Sequence, residues 1–283
     1  MNIIAEFDQD SNLTFHSDVH LTPSDKDLTN RYIKYLKSCC QHADAVFILG
    51  DLFDLWIGPA SSADFHELIL CLKYCSQQTK LYFMRGNRDF MLTDAEIIAW
   101  GLIPLRDPSI ILYAGKRILL THGDQFCVDD KSYQTFRSII QHPFTTFFFR
   151  SLPHSLLVKI FTSLKKRSNT AKSKKKLTIM HANHHCIITW LHDYSCQGVI
   201  YGHVHQFNHQ VYTPSSYDQS DSALDASLDT YDVEKHGSNL FVTANSSLSS
   251  IAYHCLSLDC WQYKPNALSL LPKGHWEHYY LVE

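Results

Sequence analysis

The stretch AVFILGD, residues 45–51, decides the fold because a short apolar run ends there in a glycine and an aspartate. Five apolar residues that include β-branched and aromatic side chains have the length and composition of a buried strand. Four further runs end in the same way, on side chains that bind divalent metals; they are LTFHSDVH (13–20), LYFMRGNRD (81–89), ILLTHGD (118–124) and VIYGHVH (199–205).

Helical patterns lie between these strands. One covers about 27–42 and another covers about 63–77. A third begins near Thr93, because its hydroxyl and the carboxylate of Glu96 form the signature of a capping box. The alternation of strands and helices predicts an α/β sandwich of layers.

The residues at the strand ends have the chemistry of a metal site. Asp18 and His20 are two positions apart, so both point to one side of a strand ending, and His203 and His205 repeat this spacing. Open α/β sheets bind their ligands beyond the carboxyl ends of the strands. Three carboxylate or amide oxygens and four imidazoles suit a pair of divalent cations. The predicted ligands are Asp18, His20, Asp51, Asn87, His122, His203 and His205.

A bridging carboxylate offsets the repulsion between two cations that lie roughly 3.5–4 Å apart. Asp51 is the natural bridge because it follows a central strand. We further expect Asp89 and Asp124 to orient ligating imidazoles. The predicted division is Asp18, His20 and His205 on one cation, and Asn87, His122 and His203 on the other.

The composition excludes several classes of protein. The chain has 283 residues and a net charge of −3, whereas general nucleic-acid-binding proteins are usually strongly basic. The nine cysteines form no CxxC pair, which favours reduced thiols. The N-terminal MNIIAEFDQDSN lacks the features of a signal peptide, and no apolar run approaches the ~18 residues that span a bilayer. We expect a soluble, intracellular protein without a nucleic-acid partner.

Two segments depart from the alternation of strands and helices. Residues 131–180 are rich in phenylalanine and end in a run of seven basic residues, which predicts an inserted helical cap. Residues 213–238 are rich in serine and aspartate and predict a solvated acidic loop. The core is then one discontinuous domain formed by 12–130 and 181–283.

The ordered set of strand-end motifs resembles the calcineurin-like metallophosphoesterases. Arg88 narrows the resemblance, because most of these enzymes have histidine there, whereas the UDP-2,3-diacylglucosamine pyrophosphohydrolase branch of lipid A synthesis has arginine. The resemblance spans about 12–212 and implies the αββα sandwich of that superfamily with an inserted helical cap. Motifs similar to those of the branch are GDLFDLWIG (50–58), GNRDFML (86–92), HGDQFCVDD (122–130), SYQTFR (132–137) and RSNTAKSKKKL (167–177).

The resemblance implies an enzyme, a UDP-2,3-diacylglucosamine diphosphatase, with two divalent cations that are usually Mn²⁺. In that family a metal-bound hydroxide attacks the α-phosphorus, and the products are UMP and 2,3-diacylglucosamine 1-phosphate. The planar guanidinium of Arg88 suits a bidentate grip on phosphate. Catalytic roles are implied for Asp51, Asn87, Arg88, His122 and His203. The implied substrate pocket contains Asn87, Arg88, Asp130, Tyr133, Ser168, Lys172, Lys175 and His203.

The resemblance also implies a function for the cap. Its phenylalanines and the apolar face of a helix around 155–164 are expected to form a groove for the two acyl chains. Its basic residues are expected to hold the protein at an anionic membrane surface, at about 1 kcal/mol for each Lys or Arg. We therefore expect a peripheral protein at the cytoplasmic face of the inner membrane.

The sequence departs from the family pattern after His205. The family soon returns to a Gly-x-Trp segment, and here the resembling residues are Gly274, His275 and Trp276, about 70 positions later. Apolar stretches at 239–244 and 251–261 predict added strands.

Two other functions remain open. A phosphoesterase for soluble nucleotides such as diadenosine tetraphosphate would more often have histidine at position 88, and it would not require an apolar, basic cap. A non-catalytic scaffold would have lost metal ligands, and none of the seven is missing.

Overall fold

The structure of the protein is a computed structural model that describes residues 2–172, 182–212, 253–258, 260–261, 266–271 and 275–280. The strands are β1 Ile3–Phe7, β2 Leu13–His16, β3 Ala45–Leu49, β4 Lys80–Met84, β5 Ile103–Leu105, β6 Ser109–Tyr113, β7 Lys116–Thr121, β8 Gly198–Tyr201, β9 Asn208–Tyr212, β10 Tyr253–Ser257, β11 Asn266–Leu271 and β12 His275–Tyr280. The helices are α1 Lys26–His42, α2 His66–Cys75, α3 Asp94–Ala99, α4 Lys131–Ile140, α5 Pro143–Ser151, α6 His154–Lys172 and α7 His184–Asp193.

The described strands form two six-stranded sheets. The first has the order β1-β6-β7-β8-β10-β9, and the second has the order β12-β11-β2-β3-β4-β5. Strands β2, β3, β4 and β5 are parallel to one another, as are β7, β8 and β10. The carboxyl ends of β2, β3 and β4 therefore share one edge of the second sheet, and those of β7 and β8 share one edge of the first.

Alternate side chains of the strands separate the layers of the fold. The two sheets face each other across an apolar core that includes Phe15, Phe47, Tyr82 and Leu120. The rings of Phe15, Phe47 and Tyr82 stack across adjacent strands with centroid distances of 4.8 and 4.6 Å. Helices α1 and α2 pack on the outer face of the second sheet, and α7 packs on that of the first. The αββα sandwich predicted from the sequence is confirmed.

Local signals account for the limits of the helices. The helix predicted at about 27–42 is α1, and the one predicted near Thr93 is α3. The capping box of α3 is complete, because the Glu96 N–H donates to the Thr93 hydroxyl and the Thr93 N–H donates to the Glu96 carboxylate. The helix predicted over about 63–77 is shorter, since Pro59–Ala63 forms a separate 3₁₀ turn before α2.

Helices α4, α5 and α6 follow β7 and precede α7, in the segment predicted to form the cap. Helix α5 presents a strongly exposed aromatic surface: the exposed fractions of Phe144, Phe147 and Phe148 are 80%, 75% and 58%. Helix α6 is anchored differently, because Leu157 and Phe161 are buried in the core that α1 and α2 share.

Some expectations concern residues outside the described ranges. The acidic loop 213–238 and the stretch 239–244 lie there, so both remain predictions, as does the division of the chain into a core and a cap at 131–180. A strand within 251–261 is confirmed as β10. Among the described helices, none has the length and apolar character needed to cross a membrane.

Candidate metal centre

The seven predicted ligands follow β2, β3, β4, β7 and β8, and backbone hydrogen bonds connect the loops that carry them. The Asp18 N–H donates to the Gly50 carbonyl oxygen at 3.1 Å. Within the first sheet, the Gly202 N–H donates to the His122 carbonyl oxygen at 3.0 Å. The connection extends between the two sheets, because the His203 N–H donates to the side-chain Oδ2 of Asp18 at 2.8 Å. The strand ends of both sheets therefore meet at one place.

The first group of donor atoms comes from Asp18, His20 and His205. Asp18 Oδ1 lies 3.7 Å from His20 Nε2 and 3.3 Å from His205 Nε2, and the two imidazole nitrogens are 3.3 Å apart. Metal–nitrogen and metal–carboxylate bonds of about 2.0–2.2 Å place neighbouring donor atoms at about this spacing. Asp18 is fully buried, and its Oδ1 has no hydrogen-bond partner within the described part of the chain.

The second group comes from Asn87, His122 and His203. The buried His122 Nε2 and Asn87 Oδ1 both lack a hydrogen-bond partner among the described residues. The Asn87 side-chain nitrogen lies 3.3 Å from His203 Nδ1, and the rings of His122 and His203 have centroids 5.2 Å apart. Unpartnered buried atoms are costly in a native fold, and these donor atoms fit a divalent cation.

Asp51 lies between the two groups. Its Oδ1 is 3.7 Å from His122 Nε2, and its Oδ2 is 4.0 Å from His20 Nδ1. One carboxylate thus faces His122 of the second group and the His20 ring of the first, and one donor atom each of Asp18, His20 and Asp51 lie within 4.8 Å of one another. This is the position that a bridging ligand requires. Gly86 is required beside it, because a Cβ at that position would lie 2.6 Å from the Asp51 backbone nitrogen and would overlap the carboxylate.

The tautomer of His122 follows from its hydrogen bond. His122 Nδ1 lies 2.9 Å from the carbonyl oxygen of Leu49, which can only accept, so Nδ1 carries a proton and Nε2 is the ring nitrogen that can face a cation. A backbone carbonyl therefore performs the orienting role that the sequence analysis assigned to aspartates.

The roles expected for Asp89 and Asp124 are not those that the structure shows. The two oxygens of Asp89 accept from the backbone N–H groups of Gly86 and Leu52, at 2.7 and 2.9 Å. Asp124 Oδ2 accepts from the Tyr133 hydroxyl and from Arg137 Nε. Both carboxylates organise loops and a neighbouring helix around the site, whereas the sequence analysis expected them to hydrogen-bond to imidazoles.

The backbone at the strand ends is unusual. Five of the predicted ligands have φ angles between 54° and 69°, in the left-handed region that side chains other than glycine seldom adopt. Such conformations cost of order 1–3 kcal/mol each and cluster at functional sites, where the surrounding structure holds them in place. The five residues are Asp18, His20, Asp51, His203 and His205.

The site concentrates buried charge. Burial, assisted by the nearby carboxylates of Asp89 and Asp18, raises the pKa of Asp51 to about 7. Burial acts to lower the pKa of His122, but the carboxylates of Asp51, Asp18 and Asp124 outweigh it and raise that pKa to about 9. Carboxylates held this close together favour the binding of cations, which remove the repulsion between them.

The structure shows the surroundings of three residues predicted to contact substrate, which are Arg88, Tyr133 and Asp130. The Arg88 backbone N–H donates to Asp51 Oδ1 at 2.8 Å, and its guanidinium is close enough to act electrostatically on Asp51 and His20. The Tyr133 hydroxyl accepts from the Asn87 side-chain nitrogen at 2.9 Å. Asp130 caps α4, where its carboxylate accepts from the Tyr133 N–H at 3.0 Å.

The structure shows less of three other residues that are predicted to contact substrate. Ser168 and Lys172 belong to helix α6. Lys175 lies outside the described residues. Their contact with substrate therefore stays a prediction.

The sequence analysis missed a segment at the site. The Trp261 N–H donates to the Asp18 carbonyl oxygen at 3.2 Å, and its indole packs on His16, Tyr32 and Tyr35. Among the described residues this tryptophan returns the chain to the predicted metal ligands. In the segment that resembles the family's Gly-x-Trp, His275 and Trp276 belong to strand β12. A tryptophan that closely follows the apolar strand β10 was the signal available in the sequence.

Comparison with known proteins identifies the family. The family described as calcineurin-like phosphoesterase matches residues 12–207. The UDP-2,3-diacylglucosamine hydrolase of Pectobacterium carotovorum is 35% identical over 206 residues, which cover 72% of this chain and 86% of that protein. The Edwardsiella ictaluri enzyme of the same name is 34% identical, with 81% and 88% covered, and that of Escherichia coli O139:H28 is 32% identical, with 68% and 81% covered.

Solved structures add little to this identification. A dimetal phosphatase from Danio rerio aligns with 96% of this chain and with 98% of its own chain, at 13% identity and a TM-score of 0.46. The family description matches most of the chain, and the curated hydrolases are 32–35% identical to it. These two findings establish the family. The chain therefore belongs to the calcineurin-like phosphoesterase family, within the branch of the UDP-2,3-diacylglucosamine hydrolases.

Proposed function

We propose that this protein hydrolyses the pyrophosphate bond of UDP-2,3-diacylglucosamine and yields UMP and 2,3-diacylglucosamine 1-phosphate in lipid A biosynthesis. The observation that carries the proposal is the similarity to hydrolases of that name over more than four fifths of their length. The geometry supports it, because two groups of unpartnered donor atoms flank the Asp51 carboxylate. As a member of its family the protein is a hydrolase that uses divalent metal ions.

The residues of this chain have separable roles in the reaction. Asp18, His20 and His205 would hold one cation, Asn87, His122 and His203 would hold the other, and Asp51 would contact both. When bound, the cations lower the pKa of a water molecule and neutralise charge on the phosphoryl oxygens. Water adds to the α-phosphorus, the bond to the bridging oxygen breaks, and that oxygen leaves with the β-phosphate.

Arg88 is proposed to hold the substrate phosphates. Its backbone is fixed on both sides, because its N–H donates to Asp51 Oδ1 and its carbonyl oxygen accepts from the Trp56 N–H at 3.1 Å. The guanidinium acts electrostatically on Asp51, and it would attract a phosphate bound beside that carboxylate's cations. Five N–H donors in one plane suit two phosphate oxygens better than a single imidazole does.

Manganese is our proposal for the metal of the working enzyme. Carboxylate, amide and imidazole donors suit Mn²⁺, and the branch that the sequence resembles usually uses it.

The cap is proposed to contact the anionic cytoplasmic face of the inner membrane and to shelter the acyl chains. The support is the exposed aromatic surface of Phe144, Phe147 and Phe148, which a folded protein rarely presents to water without a use, and the run of seven basic residues that follows in the sequence. In a co-sedimentation assay with phosphatidylglycerol vesicles, salt and charge reversal across residues 174–176 should both weaken binding, as should Phe147→Ser.

The vesicle assay has a matched control. Ile98 on α3 has an exposed fraction of 60%, so Ile98→Ser removes a similarly exposed apolar side chain away from the cap. Binding that is equally weakened by Ile98→Ser, or that is indifferent to salt and to charge reversal, contradicts the proposed contact.

Product analysis by phosphorus NMR tests the proposed reaction. The protein with Mn²⁺ is incubated with UDP-2,3-diacylglucosamine in detergent, and diadenosine tetraphosphate serves in a parallel tube. We expect UMP and the lipid monophosphate from wild type and from Asp64→Ala, an exposed control, and neither product from Asp51→Ala. Cleavage of the soluble nucleotide alone would retain the metal centre but refute the lipid substrate. Absence of turnover despite bound metal would favour a non-catalytic scaffold.

A further inference from the structure

The segment that follows β10 brings a cysteine to the metal centre. Strand β10 is parallel to β8, and the chain leaves it with the Leu258 N–H donating to the Tyr201 carbonyl oxygen at 2.7 Å. Three residues later the Trp261 N–H donates to the Asp18 carbonyl oxygen. Cys260 is therefore held between two backbone anchors, one on each sheet, and it is fully buried.

The thiol of Cys260 belongs to the first group of donor atoms. Its Sγ and one ring nitrogen each of His20 and His205 all lie within 4.8 Å of one another. The neighbouring Asp18 Oδ1 is buried without a hydrogen-bond partner in the described ranges, 3.3 Å from His205 Nε2. The thiol and two imidazoles thus form one group of donor atoms, and the Asp18 carboxylate lies beside both imidazoles.

We propose that Cys260 is a ligand of the cation held by Asp18, His20 and His205, and that it makes the two metal positions of this enzyme chemically unequal. The proposal rests on the metal centre of the proposed function and adds a donor to one half of it. Metal–sulfur bonds of about 2.3 Å are only slightly longer than metal–nitrogen bonds, so a thiol can share a cation with imidazoles of the same group.

The consequence is a difference in metal preference between the two positions. Thiolate is a soft ligand that selects Zn²⁺ and similar ions, whereas carboxylate and amide oxygens suit Mn²⁺. The position with Asn87, His122 and His203 lacks such a donor among its predicted ligands. We expect the Cys260 position to prefer Zn²⁺ or Co²⁺ and the other position to retain Mn²⁺. Binding through sulfur also releases the thiol proton.

Titration of the chelator-treated full-length protein with Co²⁺ tests the proposal directly. A cysteine ligand produces a thiolate-to-cobalt charge-transfer absorption in the near ultraviolet, separate from the visible bands that report cobalt binding of any kind. We expect this absorption to saturate at one cobalt per chain in wild type. It should disappear in Cys260→Ser and persist in Cys255→Ser, a control at a buried thiol on β10.

Metal selectivity is the second readout. Competitive dialysis against Mn²⁺ and Co²⁺ should show that Cys260→Ser weakens cobalt binding by about 10–100-fold, a loss that even indirect partners of metal ligands produce. Manganese binding should change by much less. Cys260→Asp replaces sulfur with an oxygen donor, so it should bind metal without the charge-transfer absorption, and it serves if the serine variant fails to fold.

Each outcome decides the question. An unchanged charge-transfer absorption in Cys260→Ser, or its absence from wild type that has bound cobalt, overturns the assignment. Failure of wild type to bind cobalt overturns both the assignment and the metal centre. The absorption with no turnover of UDP-2,3-diacylglucosamine retains Cys260 as a ligand and refutes only the proposed substrate.

Discussion

Asp89→Asn tests the hydrogen bonds that hold two of the ligand loops together. The buried Asp89 carboxylate accepts from the Gly86 N–H through Oδ1 and from the Leu52 N–H through Oδ2. An asparagine has one accepting oxygen and one donating nitrogen. Whichever way its amide turns, one backbone N–H faces another donor.

The size of the effect follows from these contacts. A hydrogen bond to a charged acceptor contributes about 1.5–3 kcal/mol, and a buried donor without a partner costs about 1–3 kcal/mol. Burial raises the pKa of Asp89, so the charge is itself costly to bury and its removal offsets part of this loss. We expect the free energy of unfolding to fall by about 2 kcal/mol, which lies within both ranges.

Urea unfolding of the chelator-treated protein at neutral pH, followed by circular dichroism, measures this change. The matched control is Asp94→Asn, because Asp94 is exposed and pairs with Arg85 at 3.0 Å, and such surface pairs contribute about 0–1 kcal/mol. Turnover of Asp89→Asn should also fall, because the loops of Asp51 and Asn87 lose their common anchor. If the two variants unfold at the same urea concentration, the reasoning is refuted.

Three further predictions concern the same region. Gly86→Ala should lower turnover by about 10²-fold, since its Cβ would displace Asp51 and such displacements are costly in catalysis; steady-state kinetics measures this loss. Burial lowers the pKa of His16 from 6.5 to about 3, so below pH 6.5 the unfolded state binds more protons and stability falls with decreasing pH. His16→Gln should reduce that slope by about 1.4 kcal/mol per pH unit in urea unfolding. Tyr133→Phe should weaken one of two cation-binding steps by about 10-fold in calorimetry, because it releases the Asn87 amide.

Each of these predictions has a control. Gly115 has a φ of 75°, so alanine is strained there, but the added Cβ would have no neighbouring atom within 4 Å. The turnover of Gly115→Ala should therefore be unchanged. Equal losses in both glycine variants would contradict the steric argument. His42→Gln replaces an exposed histidine and serves as the reference variant, and an unaltered slope in His16→Gln contradicts the linkage. Tyr74→Phe should not affect cation binding; if Tyr133→Phe behaves like it, the hydroxyl does not hold Asn87.

Much of the fold could be predicted because its determinants are local. Each apolar run and the predicted ligand that follows it are adjacent in the sequence, so the strands themselves and the strand ends that carry the predicted ligands can be recognised from the chain alone. The capping box of Thr93 and Glu96 is likewise contained in four residues and is present as predicted.

The remaining features depend on contacts between distant residues. Asp89 and Leu52 are 37 positions apart, and only the pairing of β3 with β4 brings them together. Similarly, the sequence analysis treated Cys260 as one reduced thiol among nine, because its proximity to His205 requires that β10 be placed next to β8. Hydrogen-bond partners and added ligands of this kind cannot be recognised from spacing.

The left-handed backbone at the strand ends also determines how such a site decays in evolution. When a descendant no longer needs a cation, the ligand side chain is released from selection, but the backbone conformation at the strand end is not. Glycine and asparagine occupy that conformation readily, whereas most L-residues lose roughly 1–2 kcal/mol there. A non-catalytic descendant should therefore carry glycine or asparagine at positions 18, 20, 51, 203 and 205, where the φ angles are positive. The backbone conformation would then persist after metal binding is lost, and it would identify the former ligand positions.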